Sequence, residues 1–113
     1  MTTELERGSC VPCRGGVPTL TEAEIAELKP HVPDWRVVEV DGIKRLTREF
    51  RFGDFKEAMA FAVKVGDLAE REGHHPDLHV AWGKVGVEIW THKINGLHRN
   101  DFILAAKTDA LRP

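Results

Sequence analysis

Two adjacent histidines, His74 and His75, stand in the segment Glu70-Arg-Glu-Gly-His-His-Pro-Asp77. A third, His92, follows two strand-like runs later, and Asp101 follows that. Imidazole is the side chain whose unperturbed pKa lies nearest neutrality, so it can give or take a proton there. Three imidazoles that a fold brings together point to proton-transfer chemistry on a small molecule. The same residues read as a metal centre would be three histidines and a carboxylate. Adjacent histidines seldom both aim at one ion from a tight loop, and no His-Glu-x-x-His helix is present. No metal is expected. Each residue also has a plain reading: the His-His pair as a surface loop whose rings meet helix-end carbonyls, Asp101 as an acidic residue at the positive end of a helix, and Glu70 as solvated helix surface.

Composition narrows the classes. A chain of 113 residues suits one domain. With 42% apolar and 30% charged residues it can form a packed core. A net charge of −2 and a pI near 6.3 argue against an electrostatic nucleic-acid binder, which usually carries a basic stripe. No apolar run approaches the roughly 20 residues that cross a bilayer. Met1-Thr-Thr-Glu-Leu-Glu has neither the basic nor the apolar region of a secretory signal, so a cytoplasmic protein is expected. Cys10 and Cys13, in Cys-Val-Pro-Cys, supply half of a structural zinc site, and Gly15, Gly16 and Pro18 follow where a redox pair would open a helix. They read as two thiols in an arm, with a redox or intersubunit metal role as the other possibility.

The elements that must position the histidines follow from local signals. Residues 1–18 read as a flexible arm, and residues 19–113 as the working domain. Thr21 and Glu24 form a capping-box pattern that predicts a helix to about Lys29, ended by Pro30 and Pro33. Residues 35–40 and 43–52 read as a hairpin turning at Asp41-Gly42. Asp54 predicts the start of a helix over 55–72, with Gly73 as its left-handed terminator. Its expected buried stripe is Phe55, Met59, Ala62, Val63, Gly66 and Ala69, widened by Phe61, Val65 and Leu68. Residues 78–82 and 85–91 read as a second hairpin joined by Gly83-Lys84. A last helix over 99–111 turns Phe102, Ile103, Ala106 and Ala110 inward.

The order α-β-β-α-β-β-α predicts an α+β domain, a four-stranded antiparallel sheet with three helices on one face. The uncovered face should carry some of Trp82, Glu88 and Trp90. An uncovered face or open edge is commonly closed by a second copy, which predicts an oligomer.

The set Glu70-x-x-x-His74-His75-Pro76, Trp82, Thr91-His92, Gly96-Leu97 and Asp101 resembles the pterin-4a-carbinolamine dehydratase family over roughly residues 20–111. The resemblance implies this same fold, assembled as dimers or tetramers. It implies dehydration of a 4a-hydroxytetrahydropterin to a quinonoid dihydropterin without any cofactor, in support of tetrahydrobiopterin recycling. By the same resemblance His74, His75, His92 and Asp101 are catalytic. His74 and His92 are the expected acid/base pair, His75 holds the pterin, and Asp101 orients His92. Glu70, Pro76, Thr91 and Lys93 are expected at the substrate. Trp35 is expected either as an aromatic wall of the pocket or as an ordinary core residue. His79 and His98 depart from the family pattern. His79 stands where aromatic residues are common, and His98 where a serine or threonine cap is expected; by their sequence positions His31 and His98 read as surface residues.

The family also includes dimerisation partners of a transcription factor and assembly factors for other enzymes. The alternative function is therefore a non-catalytic binding protein using the sheet, an edge or a helix face with a protein partner. The intact histidine set favours the enzyme, because a binder has no physical need for it.

Overall fold

The computed structural model describes Gly8 and residues 16–112. Residues 1–7 and 9–15 of the arm, with both cysteines, lie outside the described residues. Helix α1 (Glu22–Leu28) leads through a single 3-10 turn, Lys29–His31, to strand β1 (Arg36–Val40). Strand β2 (Ile43–Arg51), helix α2 (Phe55–Glu72), strand β3 (Asp77–Ala81), strand β4 (Lys84–Ile89) and helix α3 (Arg99–Ala110) follow. All strand pairs are antiparallel, in the order β1-β2-β4-β3. The predicted α+β architecture is the one observed.

The local signals act as expected at most ends. Thr21 and Glu24 form a reciprocal capping box on α1. Asp54 accepts from the Glu57 N–H at the start of α2. Asp41 and Gly42 both take positive φ, 53° and 77°, as a tight hairpin matched to strand twist requires. The second hairpin is displaced by one residue from the sequence expectation. β3 ends at Ala81, and Trp82-Gly83 makes the turn, leaving Trp82 72% exposed at its tip rather than in the sheet.

Side chains alternate across the sheet. Leu46, Phe50, Val85, Val87 and Ile89 are fully buried against the helices, a burial worth about 1.5–3 kcal/mol for each large side chain. The burial on α2 corrects the expected stripe. Ala58, Phe61, Ala62, Val65, Leu68 and Ala69 face the core. Phe55, Met59 and Val63 stand 47%, 41% and 56% exposed. Helix α3 is enclosed on nearly all sides, with Asn100 to Ala106 and Thr108 buried, while Ala110 is exposed instead of inward.

Arg48 breaks the apolar alternation of β2 for a specific reason. Its guanidinium meets Asp109 at 2.6 Å and Asp34 at 3.7 Å. Trp35 Nε1–H donates to the same Asp109 oxygen at 2.8 Å. Burial nevertheless dominates, and pushes the Asp109 carboxyl above its ordinary value of 3.8; the bonds from Trp35 and Arg48 oppose the shift, and the Asp34 charge adds to it. The folded state therefore binds this proton more tightly than the unfolded chain. Between pH 3.8 and the raised value, the Asp109 contribution to stability falls as pH rises. Urea unfolding of the wild type and of Asp109→Asn across this range should give a difference curve with that negative slope; a flat or rising difference would refute the assignment.

Candidate active site

The three histidines are placed by different means. Helix α2 closes at Gly73, φ 65°, and the N–H groups of Gly73 and His74 both return to the Ala69 carbonyl. This six-to-one closure ties the His74 backbone to the helix end. Lys107 of α3 reaches Glu72 at 3.7 Å, holding the end of α2 against α3. From there His74 Nε2 meets Asp101 Oδ1 at 2.6 Å, with the His74 side chain 12% exposed and Asp101 fully buried.

Asp101 is the junction of the site. Its Oδ2 accepts from the Thr91 hydroxyl at 2.9 Å and from the His98 N–H at 2.8 Å. His98 is the N-cap of α3, and its Nδ1 accepts from the Asn100 N–H at 3.0 Å. The expected surface histidine is thus a structural cap, in reciprocal spacing with Asp101. Asp101 holds its helix end and a catalytic candidate at once. A carboxylate only accepts, so the His74 nitrogen facing it carries the hydrogen, and Nδ1 is left as the basic nitrogen of the neutral ring.

The orienting role expected of Asp101 toward His92 falls instead on His74. His92 is exposed, and its ring lies on Trp90 at a centroid distance of 4.2 Å. Its loop is closed by Thr91 N–H to Gly96 O at 2.9 Å, and braced by Leu20 N–H to Leu97 O at 2.9 Å. Gly96 admits that bracing segment, since a β-carbon there would lie 2.4 Å from Thr19 Cγ2. His75 is exposed and faces Glu70 across 3.3 Å. Among the described residues no histidine ring bonds or stacks on another. The shared element is the Asp101 carboxylate, bonded to His74 directly and to Thr91, the chain neighbour of His92.

Pro76 is half-buried beside His75, and Lys93 is exposed beside His92. Trp35 is not brought to this cluster. It is fully buried, packs edge-on to Phe50 and bonds Asp109. Eight residues of helix separate Asp109 from Asp101, about 12 Å along the axis. Trp35 is a core residue and not a pocket wall. The sequence places His98 at the cap position of the last helix, where serine or threonine is expected; that its own ring fills the role, at the three-residue spacing of a capping box to Asp101, is shown by the structure. The sequence reading missed the stack of His92 on Trp90, which requires knowing where the strand ends.

The family model described as pterin 4 alpha carbinolamine dehydratase matches residues 18–111. The chain belongs to that family. A Gloeobacter violaceus protein provisionally named pterin-4-alpha-carbinolamine dehydratase 1 is 59% identical over 102 residues, covering 90% of this chain and 88% of its own length. A Syntrophotalea carbinolica protein provisionally named pterin-4-alpha-carbinolamine dehydratase is 54% identical over 107 residues, covering 95% of this chain and 96% of its own. The crystal structure of a transcriptional coactivator/pterin dehydratase from Brucella melitensis has a TM-score of 0.75 at 34% identity, covering 85% of this chain and 100% of that one. A pterin dehydratase-like protein identified as a RuBisCO assembly factor in the alpha-carboxysome has a TM-score of 0.60 at 26% identity, covering 72% and 92%. Within the dehydratase family, then, this chain carries the His-His-Pro segment, the third histidine and the buried aspartate together.

Proposed function

We propose that the protein dehydrates a 4a-hydroxytetrahydropterin by histidine acid/base catalysis, in support of tetrahydropterin recycling. In this step the C4a–O bond breaks, the N5 hydrogen leaves as a proton, C4a=N5 forms, and water departs. Hydroxide leaves poorly, so the oxygen needs a proton donor, and N5 needs a base. His74 is the base, because Asp101 fixes its tautomer and supports the positive charge it gains. His92, exposed on its own loop, donates to the leaving oxygen. His75 and Pro76 hold the pterin, with Glu70, Thr91 and Lys93 completing the surroundings.

The observation that carries this reading is the 2.6 Å contact between His74 and a carboxylate shut off from solvent. Such an arrangement fixes the tautomer of the ring and supports the charge it gains in proton transfer. The test is to generate the 4a-hydroxypterin in a stopped flow and add the protein. Acceleration over the spontaneous rate, lost in His92→Ala, supports the reading. No acceleration by well-folded protein would leave the binding or assembly function in its place.

The working form is a homo-oligomer, a dimer or a tetramer. The exposed row of Phe55, Met59 and Val63 on α2, and the edge strand β3 with Leu78 37% exposed, are surfaces that a second copy covers. Sedimentation velocity at micromolar concentration should show a species larger than one chain. Met59→Glu should shift the distribution toward smaller species; a monomeric wild type would contradict the proposal.

A further inference from the structure

The rings of His74 and His75 are held by carboxylates, whereas the ring of His92 is held by an aromatic face. Trp90 lies just past the end of β4, and the β2–β4 ladder closes with Leu46 opposite Ile89. One step further along the same register places Arg45 opposite Trp90, on the sheet face without helices. The Arg45 guanidinium sits 4.0 Å from the centroid of the Trp90 ring. Glu88, also on this face, pins Arg45 through a 2.7 Å bond to its Nη1. The Arg45 side chain is only 14% exposed, and its Nε is buried without a hydrogen-bond partner among the described residues.

A buried, unpaired guanidinium nitrogen costs free energy, because it loses water and gains no acceptor. The gain that offsets it here is contact with the indole, where a cation over the ring face is attracted by the ring's quadrupole. Arg45 thus braces Trp90, which also packs against the core, and Trp90 in turn supplies the surface on which the His92 imidazole rests, 4.2 Å away and tilted by 38°. An exposed histidine on a loop otherwise samples several rotamers, and confining it before substrate arrives removes that loss from the reaction step.

We infer that Trp90 is a positioning residue for His92, and that Arg45, pinned by Glu88, is the support that holds Trp90 in place. The inference rests on the reading of His92 as the proton donor. Trp90 acts through His92 and need not touch the substrate. Its removal should therefore affect the chemical step more than binding, because misplacing a reacting group by about 1 Å costs on the order of 100-fold.

The test compares Trp90→Leu, Trp90→Phe and Arg45→Gln with wild type and His92→Ala, each checked by thermal unfolding. Trp90→Leu should lower kcat by about 10- to 100-fold with little change in KM. Trp90→Phe, which keeps an aromatic face, should recover most of that loss. Arg45→Gln should show the same pattern more weakly, and serves as the second variant if Trp90→Leu fails to fold. In the resting protein the His92 ring-proton resonance should move downfield when the indole is removed. A full loss in His92→Ala beside an unchanged kcat in Trp90→Leu would overturn this inference alone. Unchanged turnover in His92→Ala would overturn the donor role and the inference with it. A His92 resonance indifferent to Trp90→Leu would show that the stack does not hold the ring.

Discussion

Replacing His74 by alanine lowers kcat by about 10²- to 10⁴-fold, the usual contribution of a positioned acid or base. It also costs stability, because Asp101 is fully buried and loses the donor on Oδ1. A buried acceptor left without its partner costs about 1–3 kcal/mol. His74→Gln separates the two effects. An amide N–H can occupy the place of the ring Nε2–H and donate to Asp101, but an amide does not shuttle protons near neutral pH. Thermal or urea unfolding should show stability largely restored in His74→Gln, and stopped-flow turnover should show activity still lost. Recovery of turnover along with stability would mean that His74 is structural and the base lies elsewhere.

The second large effect belongs to Asp101→Asn. The carboxylate receives Thr91 and His98 on Oδ2 and His74 on Oδ1. If the new amide keeps its oxygen toward Thr91 and His98, its N–H faces His74. The ring must then present a bare Nε2 and move its hydrogen to Nδ1, which removes the base. The opposite orientation keeps the His74 tautomer but sets an amide N–H against two donors and undoes the cap of α3. Either way turnover falls, by about 10²- to 10⁴-fold by analogy with aspartates that fix a catalytic tautomer. Nitrogen NMR of the His74 ring distinguishes the two orientations, since a tautomer switch accompanies only the first. Near-wild-type kcat in a folded Asp101→Asn variant would remove Asp101 from the mechanism.

Much of the scaffold could be read from local chemistry because the decisive signals are local. Asp54 and Gly73 mark both ends of α2 by hydrogen bonding and by a left-handed backbone, and the structure places them there. The buried face of α2 is legible through Phe61, Ala62, Val65, Leu68 and Ala69, but its edge is not. Apolar residues cover more than half its circumference, so two stripes, one through Phe55, Met59 and Val63 and one through Ala58, Phe61, Val65 and Leu68, fit the helical period equally. Only the positions of the sheet and α3 select the second. Trp82 reads as the last residue of its strand, but the turn falls where Gly83 takes φ 73° and so begins at Trp82.

The site divides along the same line. Its residue types were visible, and so was the link from Asp101 to the start of the last helix. The pairing of His74 with Asp101 spans 27 residues of chain and depends on α2 ending against the start of α3. No periodicity reports that. Trp35 shows the converse: an indole that the resemblance offers to the pocket lies in the core, where Asp109 gives its N–H an acceptor.

The buried carboxylate of Asp101 ties the end of α2, the residue before His92 and the first turn of α3 to one point. The proposed base is therefore coupled to the cooperative unit that contains the last helix. A fluctuation that frays that first turn releases His74 and Thr91 together, so on the proposed mechanism a locally opened form loses the orientation of its base. Amide protons of residues 101–103 should then exchange with solvent through the opening that releases His74, and a pterin bound at the histidines should slow that exchange.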